Sequence, residues 1–401
     1  MAADKTTGEE TQNRPQNPHR RNFLQAGLTG AGIALSEAAL HAQQTQQKAA
    51  PPKPEGEGTA MASAFAAQNV MNHSVLHPRA LAPLPMTNTG PGQIPQKPLG
   101  KTGVNVSIIG IGGSTLGQAK SYEEAKHILD EAIDAGVNFM DNAWEYNEHK
   151  SEEWMGQGLQ GKRDRVFLMT KVCTHGRDAK VAMQQLEESL RRLRTDHLDL
   201  WQIHEVVHFN DPDLHFMPGG VVEALAMAKQ QGKVRFVGFT GHKNPMIHLR
   251  MLELADQHNV KFDTVQMPLN PFDATFRSFA QHVLPEANRR GMGALGMKSL
   301  GGSGEAVLQG TITVPEALRY AMSLPVATTI SGIDSLQVLR QNLGIARDFK
   351  PMTETEMQSL RDRCAAAASD GHLELYKTTK KYDAAVGREQ HGFPSIEDLP
   401  A

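Results

Sequence analysis

Between residues 98 and 350 the chain alternates eight times between a short apolar run and a longer amphipathic one. No other feature restricts its fold so tightly. The apolar runs fall at 104–111, 137–143, 166–172, 198–204, 234–240, 264–269, 293–300 and 326–333. They are rich in β-branched residues and lack the polar alternation of a strand with one wet face, so both faces are expected to be buried, as in a parallel sheet. The intervening segments predict helices over 122–135, 151–159, 179–194, 220–231, 245–258, 276–290, 315–323 and 336–346, the first opened by Ser121 with Glu124 three residues on, a capping signature. Eight such units in about 250 residues predict an α/β fold, a closed (β/α)8 TIM barrel, in preference to an open doubly wound sheet. The glycines of Gly110-Ile111-Gly112-Gly113 lack the G-x-G-x-x-G spacing that opens a helix in the latter.

The flanks read differently. Residues 19–25 are His-Arg-Arg-Asn-Phe-Leu-Gln, residues 22–36 carry no charge, and Leu40-His41-Ala42 offers a small-residue exit. That order predicts a signal peptide over 1–42. Arg20-Arg21 followed by Phe23-Leu24 resembles a twin-arginine export signal, which implies the twin-arginine machinery as a partner and a periplasmic or secreted destination for a folded protein. The uncharged run is too short and too polar to span a bilayer, so no membrane span is expected. Residues 43–97, rich in Pro, Gln and Ala, read as a disordered linker or an arm lying on the domain, with a short helix over 60–82. Beyond the barrel, 351–401 predicts a helix near 353–369 and a polar tail outside the barrel. With 41 basic against 44 acidic residues, nothing in the charge favours nucleic acid as a partner. The two cysteines, Cys173 and Cys364, are too few for a disulfide framework or a metal cluster and read as buried or half-buried thiols. No metal site is expected.

In a barrel of this kind, chemistry sits at the C-terminal ends of the strands. Four titratable residues stand there on three successive strands: Asp141 and Tyr146 after the second, Lys171 on the third and His204 on the fourth. Singly, each reads as structural: a buried ion pair between Asp141 and Lys171, a loop anchor at Tyr146, a core histidine at His204. Together they make an acid catalyst. A phenol is a poor donor at neutral pH, a neighbouring ammonium is expected to lower its pKa, an aspartate keeps the lysine charged, and a histidine polarises a carbonyl oxygen.

These residues carry a resemblance. Asp141-Asn142-Ala143-x-x-Tyr146-Asn147, then Ser151-Glu152 and Gly156, is similar to the Asp-Thr-Ala-x-x-Tyr-Gly…Ser-Glu…Gly block of the aldo-keto reductase family, and 168–171 and 199–204 match its lysine and histidine strands. The resemblance covers about 98–350. It implies a catalytic tetrad of Asp141, Tyr146, Lys171 and His204, hydride from NADP or NAD, and a small-molecule carbonyl or alcohol substrate. The dinucleotide side departs from the family pattern. Where the family has Gly-x-Ser-Asn, this chain has Gly238-Phe239-Thr240-Gly241-His242, so Thr240 stands for the serine and the asparagine amide is left to His242. Gln266 matches the carboxamide-binding glutamine. Met297 falls where an aromatic usually stacks on nicotinamide, and Lys298 is expected to reach the pyrophosphate. Gly113, Gly301, Gly302 and Gly304 would let backbone approach the cofactor. Gly332, Asp334, Gln341 and Asn342 resemble the adenosine-phosphate loop, and an aspartate at 334 would repel a 2′-phosphate, which leans away from strict NADP use.

His204-Glu205-Val206-Val207-His208 also matches H-E-x-x-H, the zinc-protease motif. That chemistry needs a helix, and this segment continues a strand. Trp144, Glu145, His175, His208 and Phe209 are expected to line the mouth, with Trp144 and His208 the candidate substrate contacts. The altered cofactor residues leave a second reading open, a non-catalytic cofactor-binding barrel acting as a sensor or partner subunit.

Overall fold

Eight strands close on themselves in the order in which the alternating pattern places them. The computed structural model describes residues 82–173 and 178–399. The barrel strands are β3 (Ile109–Gly112), β4 (Phe139–Asp141), β5 (Phe167–Val172), β6 (Leu198–Ile203), β7 (Val234–Thr240), β8 (Thr264–Pro268), β9 (Gly293–Met297) and β10 (Thr328–Gly332), each parallel to its neighbours, with β10 closing on β3. They are preceded by an antiparallel hairpin of β1 (Gln96–Pro98) and β2 (Asn105–Ser107).

This hairpin divides the first apolar run, which reads in the sequence as one strand over 104–111. Leu99 and Val106 of the hairpin join Phe139, Phe167, Met169, Leu200, Leu295, Ala327 and Ile330 in one cluster inside the barrel. The hairpin therefore plugs one end, and β3 begins only after Ser107 and Ile108 have turned into the barrel wall. Gly100, at φ +54, and Gly293 permit this: a Cβ on Gly100 would lie 2.4 Å from the Gly293 nitrogen. Order thus starts before residue 98, with Ile94 fully buried. The signal expected over 1–42, the linker as far as residue 81, and His175 lie outside the described residues.

The outer helices follow the predicted segments closely. The first, Tyr122–Asp134, is capped by Ser121, whose hydroxyl accepts from the Glu124 amide at 3.2 Å. It buries Ala125, Ile128, Leu129, Ala132 and Ile133 at helical spacing. Each buried Ile or Leu contributes roughly 1.5–3 kcal/mol relative to exposure. No described helix is long and apolar enough to cross a membrane.

The C-terminal region departs from expectation. A helix over Glu354–Ala368 is present, set by a Thr353/Glu356 capping box. The polar tail, though, does not stay outside the barrel. Residues 370–399 run back across the C-terminal ends of the strands, and Tyr376, Lys377 and Arg388 are among the largest fully buried side chains of the chain. Polar composition hid this because the buried charges are paired: the Lys377 ammonium donates to Asp273 at 2.7 Å and to Glu374 at 2.8 Å, and Lys243 donates to Asp383 at 2.5 Å.

Candidate active site

Strand register brings the expected acid catalyst together. Gly112 lies beside Asp141, Lys171 beside Gln202, and Thr240 beside Gln266, so these residues form one layer at the C-terminal rim. The Lys171 ammonium, fully buried, donates to Asp141 Oδ1 at 2.6 Å and to the Asn142 carbonyl at 2.7 Å. It also reaches the Tyr146 hydroxyl at 3.4 Å. On the other side of that hydroxyl stands His204 Nε2, also at 3.4 Å, with the two rings edge to face.

The loop that presents Tyr146 is braced from several directions. Asn147 adopts a positive φ of 53°, a region glycine and asparagine tolerate, and its amide donates to the Ser114 carbonyl at 2.7 Å and the Ser151 hydroxyl at 2.8 Å. Asn142 ends β4 early by donating to the Ser151 carbonyl and accepting from the Ala143 amide. Glu152, buried, accepts from Thr170 at 2.7 Å and from Arg192 at 3.3 Å. Gly156 lies against the Arg192 and Leu193 backbone, where a Cβ would come within 2.2 Å.

The electrostatics differ from the sequence expectation. Burial pushes the Tyr146 phenol well above its ordinary pKa, and the carboxylates of Asp141, Glu145 and Glu205 push it the same way. One lysine does not outweigh three carboxylates and desolvation. Tyr146 is therefore a neutral phenol. The Glu145 carboxylate meets His204 Nδ1, and Glu205 lies close by, the donor atoms of Glu145, His204 and Glu205 all within 4.8 Å of one another. His208, the second histidine of H-E-x-x-H, is not in that group; its ring packs against His391 at 4.1 Å and Phe393 at 5.0 Å. Burial opposes charge on Glu205, yet the His242 ring 3.8 Å away, the nearby His204 ring and the Ala384 amide hold its carboxyl well below the usual range.

On the dinucleotide side the structure separates two halves. Thr240 Oγ1 and Gln266 Oε1 are buried on adjacent strands and have no hydrogen-bond partner among the described residues. Such orphans fit a carboxamide, which offers both a donor and an acceptor. The Gln266 amide turns to Met297 Sδ at 3.5 Å. The neighbouring positions face the C-terminal tail. His242 meets the Tyr376 carbonyl at 3.2 Å, and the Lys298 ammonium sits over the rings of Tyr376 and Tyr382. Burial lowers the Lys298 pKa, and Lys171 adds to that. A Cβ on Gly301 would lie 2.9 Å from the Leu373 carbonyl, and one on Gly302 3.2 Å from the Tyr376 ring, so the space left at these two glycines is taken by the tail. Gly304 faces open space. Gly332, Asp334 and Gln341 are exposed, whereas Asn342 is buried and donates to Ser331.

A model of the aldo/keto reductase family matches residues 108–312, which include all four residues of the acid cluster. The chain belongs to the aldo/keto reductase family. It is an NAD(P)-dependent oxidoreductase on a (β/α)8 barrel. Among its relatives, "Uncharacterized oxidoreductase YqkF" of Bacillus subtilis is 25% identical over 306 residues, 66% of this chain and 95% of that protein. The 6-dehydroglucose reductase of Novosphingobium aromaticivorans is 27% identical over 62% of this chain and 78% of its own length. L-galactose dehydrogenase of Arabidopsis thaliana is 33% identical over 37% of this chain and 49% of its own length. In fold, the holo form of aldo-keto reductase AKR11C1 from Bacillus halodurans superposes with a TM-score of 0.55 at 22% identity, over 70% of this chain and 99% of that one.

Several positions of this aldo/keto reductase have structural reasons the sequence did not offer. Gly113 approaches β4 so closely that a Cβ would meet the Asp141 carbonyl at 2.6 Å. Gly241, in place of the family asparagine, lies where a Cβ would be 2.3 Å from the Val206 carbonyl. Trp144 donates to Glu188 at 2.9 Å, stacks edge-on with His149 and carries the Arg192 guanidinium over its ring, so its indole is fixed. Sequence reasoning missed Glu205, Asn270, Tyr376 and the Lys377 cluster. Asn270 donates to the Tyr376 hydroxyl at 3.0 Å and to the Lys298 carbonyl at 3.2 Å, joining the rim to a tail whose polar composition gave no sign of it.

Proposed function

We propose that this aldo/keto reductase reduces an aldehyde or ketone, or runs the reverse alcohol oxidation, with Tyr146 as the general acid. The observation that carries this reading is the position of the Tyr146 hydroxyl between Lys171 Nζ and His204 Nε2, 3.4 Å from each. When bound, the reduced nicotinamide supplies a hydride. Thr240 and Gln266 would hold its carboxamide. Asp141 and the Asn142 carbonyl fix the Lys171 ammonium, which stabilises the negative charge that appears on Tyr146 as its proton leaves. The full burial of Lys171 strengthens that interaction. Tyr146→Phe is expected to lower kcat by about 10²–10⁴-fold while dinucleotide binding, followed by fluorescence titration, is retained. Unchanged turnover in a Tyr146→Phe variant that still binds dinucleotide sinks the assignment.

Two features support a cofactor preference and a substrate class. Asp334 is exposed in the adenosine loop, which favours NADH, or use of both dinucleotides, over strict NADPH use. Binding of NADPH far tighter than NADH would overturn this. The presence of a 6-dehydroglucose reductase and an L-galactose dehydrogenase among the relatives supports sugar-derived carbonyls and polyols as the first substrates to assay.

The destination of the protein rests on sequence alone. The Arg20-Arg21 pair and the uncharged run behind it support export in the folded state, with the dinucleotide loaded beforehand. Replacing both arginines by lysine should leave the protein in the cytoplasmic fraction. Unaltered export of that variant removes the proposal.

A further inference from the structure

Consecutive residues of the β4 loop grip the two nitrogens of one imidazole. Glu145 meets His204 at Nδ1, and Tyr146 meets it at Nε2. Both carboxylate oxygens of Glu145 and Nδ1 of His204 are buried, with no hydrogen-bond partner among the described residues beyond this close ion-pair contact, and His204 is 5% exposed. The loop has little freedom to relax: the Trp144 amide donates to the Lys171 carbonyl at 3.1 Å, His149 Nδ1 bonds the Trp144 carbonyl at 2.6 Å, and Asn147 is tied to Ser114 and Ser151.

We propose that Glu145 is a positioning residue that keeps a proton on Nδ1 of His204, so that Nε2 is the nitrogen that exchanges a proton with Tyr146. The inference rests on the reading of Tyr146 as the acid and deepens it. An ionised carboxylate is an acceptor only, so the nitrogen facing it must carry the hydrogen. A neutral His204 then presents a lone pair at Nε2 and accepts from the Tyr146 hydroxyl. It cannot donate to a substrate oxygen from that nitrogen unless the ring is doubly protonated. This changes the task assigned to the histidine from polarising a carbonyl to returning a proton.

The step balances. As hydride forms the new C–H bond, the Tyr146 O–H bond breaks and the substrate O–H bond forms. The neutral ring takes a proton from solvent at Nε2 and passes it to the phenolate, and is left neutral again with its Nδ1–H towards Glu145. One proton thus enters for each hydride. The surroundings require this promptness: Asp141, Glu145 and Glu205 all oppose a lasting phenolate, while Lys171 faces it from β5 and Lys298 stands further round the rim.

Nitrogen-15 NMR of the full chain, labelled at histidine, reads the tautomer directly at a pH where the ring is neutral, with or without turnover. His204→Gln identifies the resonances. The wild type should show Nδ1 protonated. Glu145→Gln retains an acceptor and should keep that tautomer, whereas Glu145→Leu should admit the Nε2–H form. In parallel, Glu145→Leu should lower kcat about 10–100-fold with KM little changed, and Glu145→Gln should recover part of the loss. A wild-type ring protonated at Nε2, or a folded Glu145→Leu variant with the wild-type tautomer, overturns the proposal. Failure of the Tyr146→Phe test would instead remove the acid and leave the tautomer measurement standing, so the two failures are distinguishable.

Discussion

The carboxylate of Glu205 accepts the main-chain N–H of Ala384 at 2.7 Å, tying the residue that follows His204 to a point 179 positions further along the chain. Glu205 has a positive φ of 50°, an uncommon conformation for this residue, and faces both His242 and the tail. Strain of this kind persists only where the surroundings over-determine it. The rim that carries His204 and the tail are thus one mechanical unit.

Ala384 has φ −60°, the value proline prefers. Ala384→Pro therefore removes the N–H donor without forcing that angle. The loss of a hydrogen bond to a charged acceptor is worth about 1.5–3 kcal/mol. Amide exchange in residues 375–390 should speed up by about tenfold or more, while the barrel strands keep their protection. Hydrogen-exchange mass spectrometry checks both halves of this expectation.

The buried Lys377 ammonium serves two carboxylates, Asp273 and Glu374. Burial raises the pKa of Glu374, and the charge of Asp273 adds to it. Lys377→Met would leave that pair without its cation. Breaking a buried ion pair on one side costs about 3–5 kcal/mol. Denaturant unfolding should show a loss of that order, and limited proteolysis should cut first within 370–399.

His248 lies in the core, 0% exposed, between Phe239 and Phe279, and burial lowers its pKa to about 3. The unfolded ring takes its proton near 6.5. Between those values the unfolded state holds more protons, so stability falls as pH drops, by up to about 1.4 kcal/mol per pH unit for this group. The contribution is fully present above about pH 6.5. His248→Gln should flatten the decline in Tm over this window. An identical slope in the variant would assign the acid sensitivity to other groups.

Asp334→Arg should shift preference towards NADPH. On the proposed placement of Asp334 in the adenosine loop, its carboxylate would oppose a 2′-phosphate, and a guanidinium would pair with it bidentately. A gain of about 1.5–3 kcal/mol corresponds to roughly 10-fold or more in the ratio of dissociation constants for NADPH and NADH. Parallel fluorescence titrations measure that ratio.

The barrel was legible because burial on both strand faces leaves a periodic record. Asp141, Lys171 and His204 were legible because a parallel barrel puts strand ends together whatever lies between them. What escaped was long-range and polar. Nothing local to Gly301 distinguishes a glycine that admits a phosphate from one that admits the Leu373 carbonyl. Likewise, Lys377 in a polar stretch looks solvated until Asp273, 104 residues earlier, is known to face it. The expected drop in the Tyr146 pKa failed for a similar reason. Lys171 was visible as its neighbour, but the carboxylate of Glu205 comes to it only through a backbone turn that the H-E dipeptide does not announce.

Because the segment over the rim is drawn from residues 370–399, it leaves the ribosome after every strand of the barrel has done so. The barrel can thus close around its hairpin plug while its rim is still uncovered. Assembly acquires a direction: an open vessel first, its cover afterwards. During that interval Gly301 and Gly302 would stand open, whereas anything arriving there later would meet the Leu373 carbonyl and the Tyr376 ring on a segment anchored by buried charges.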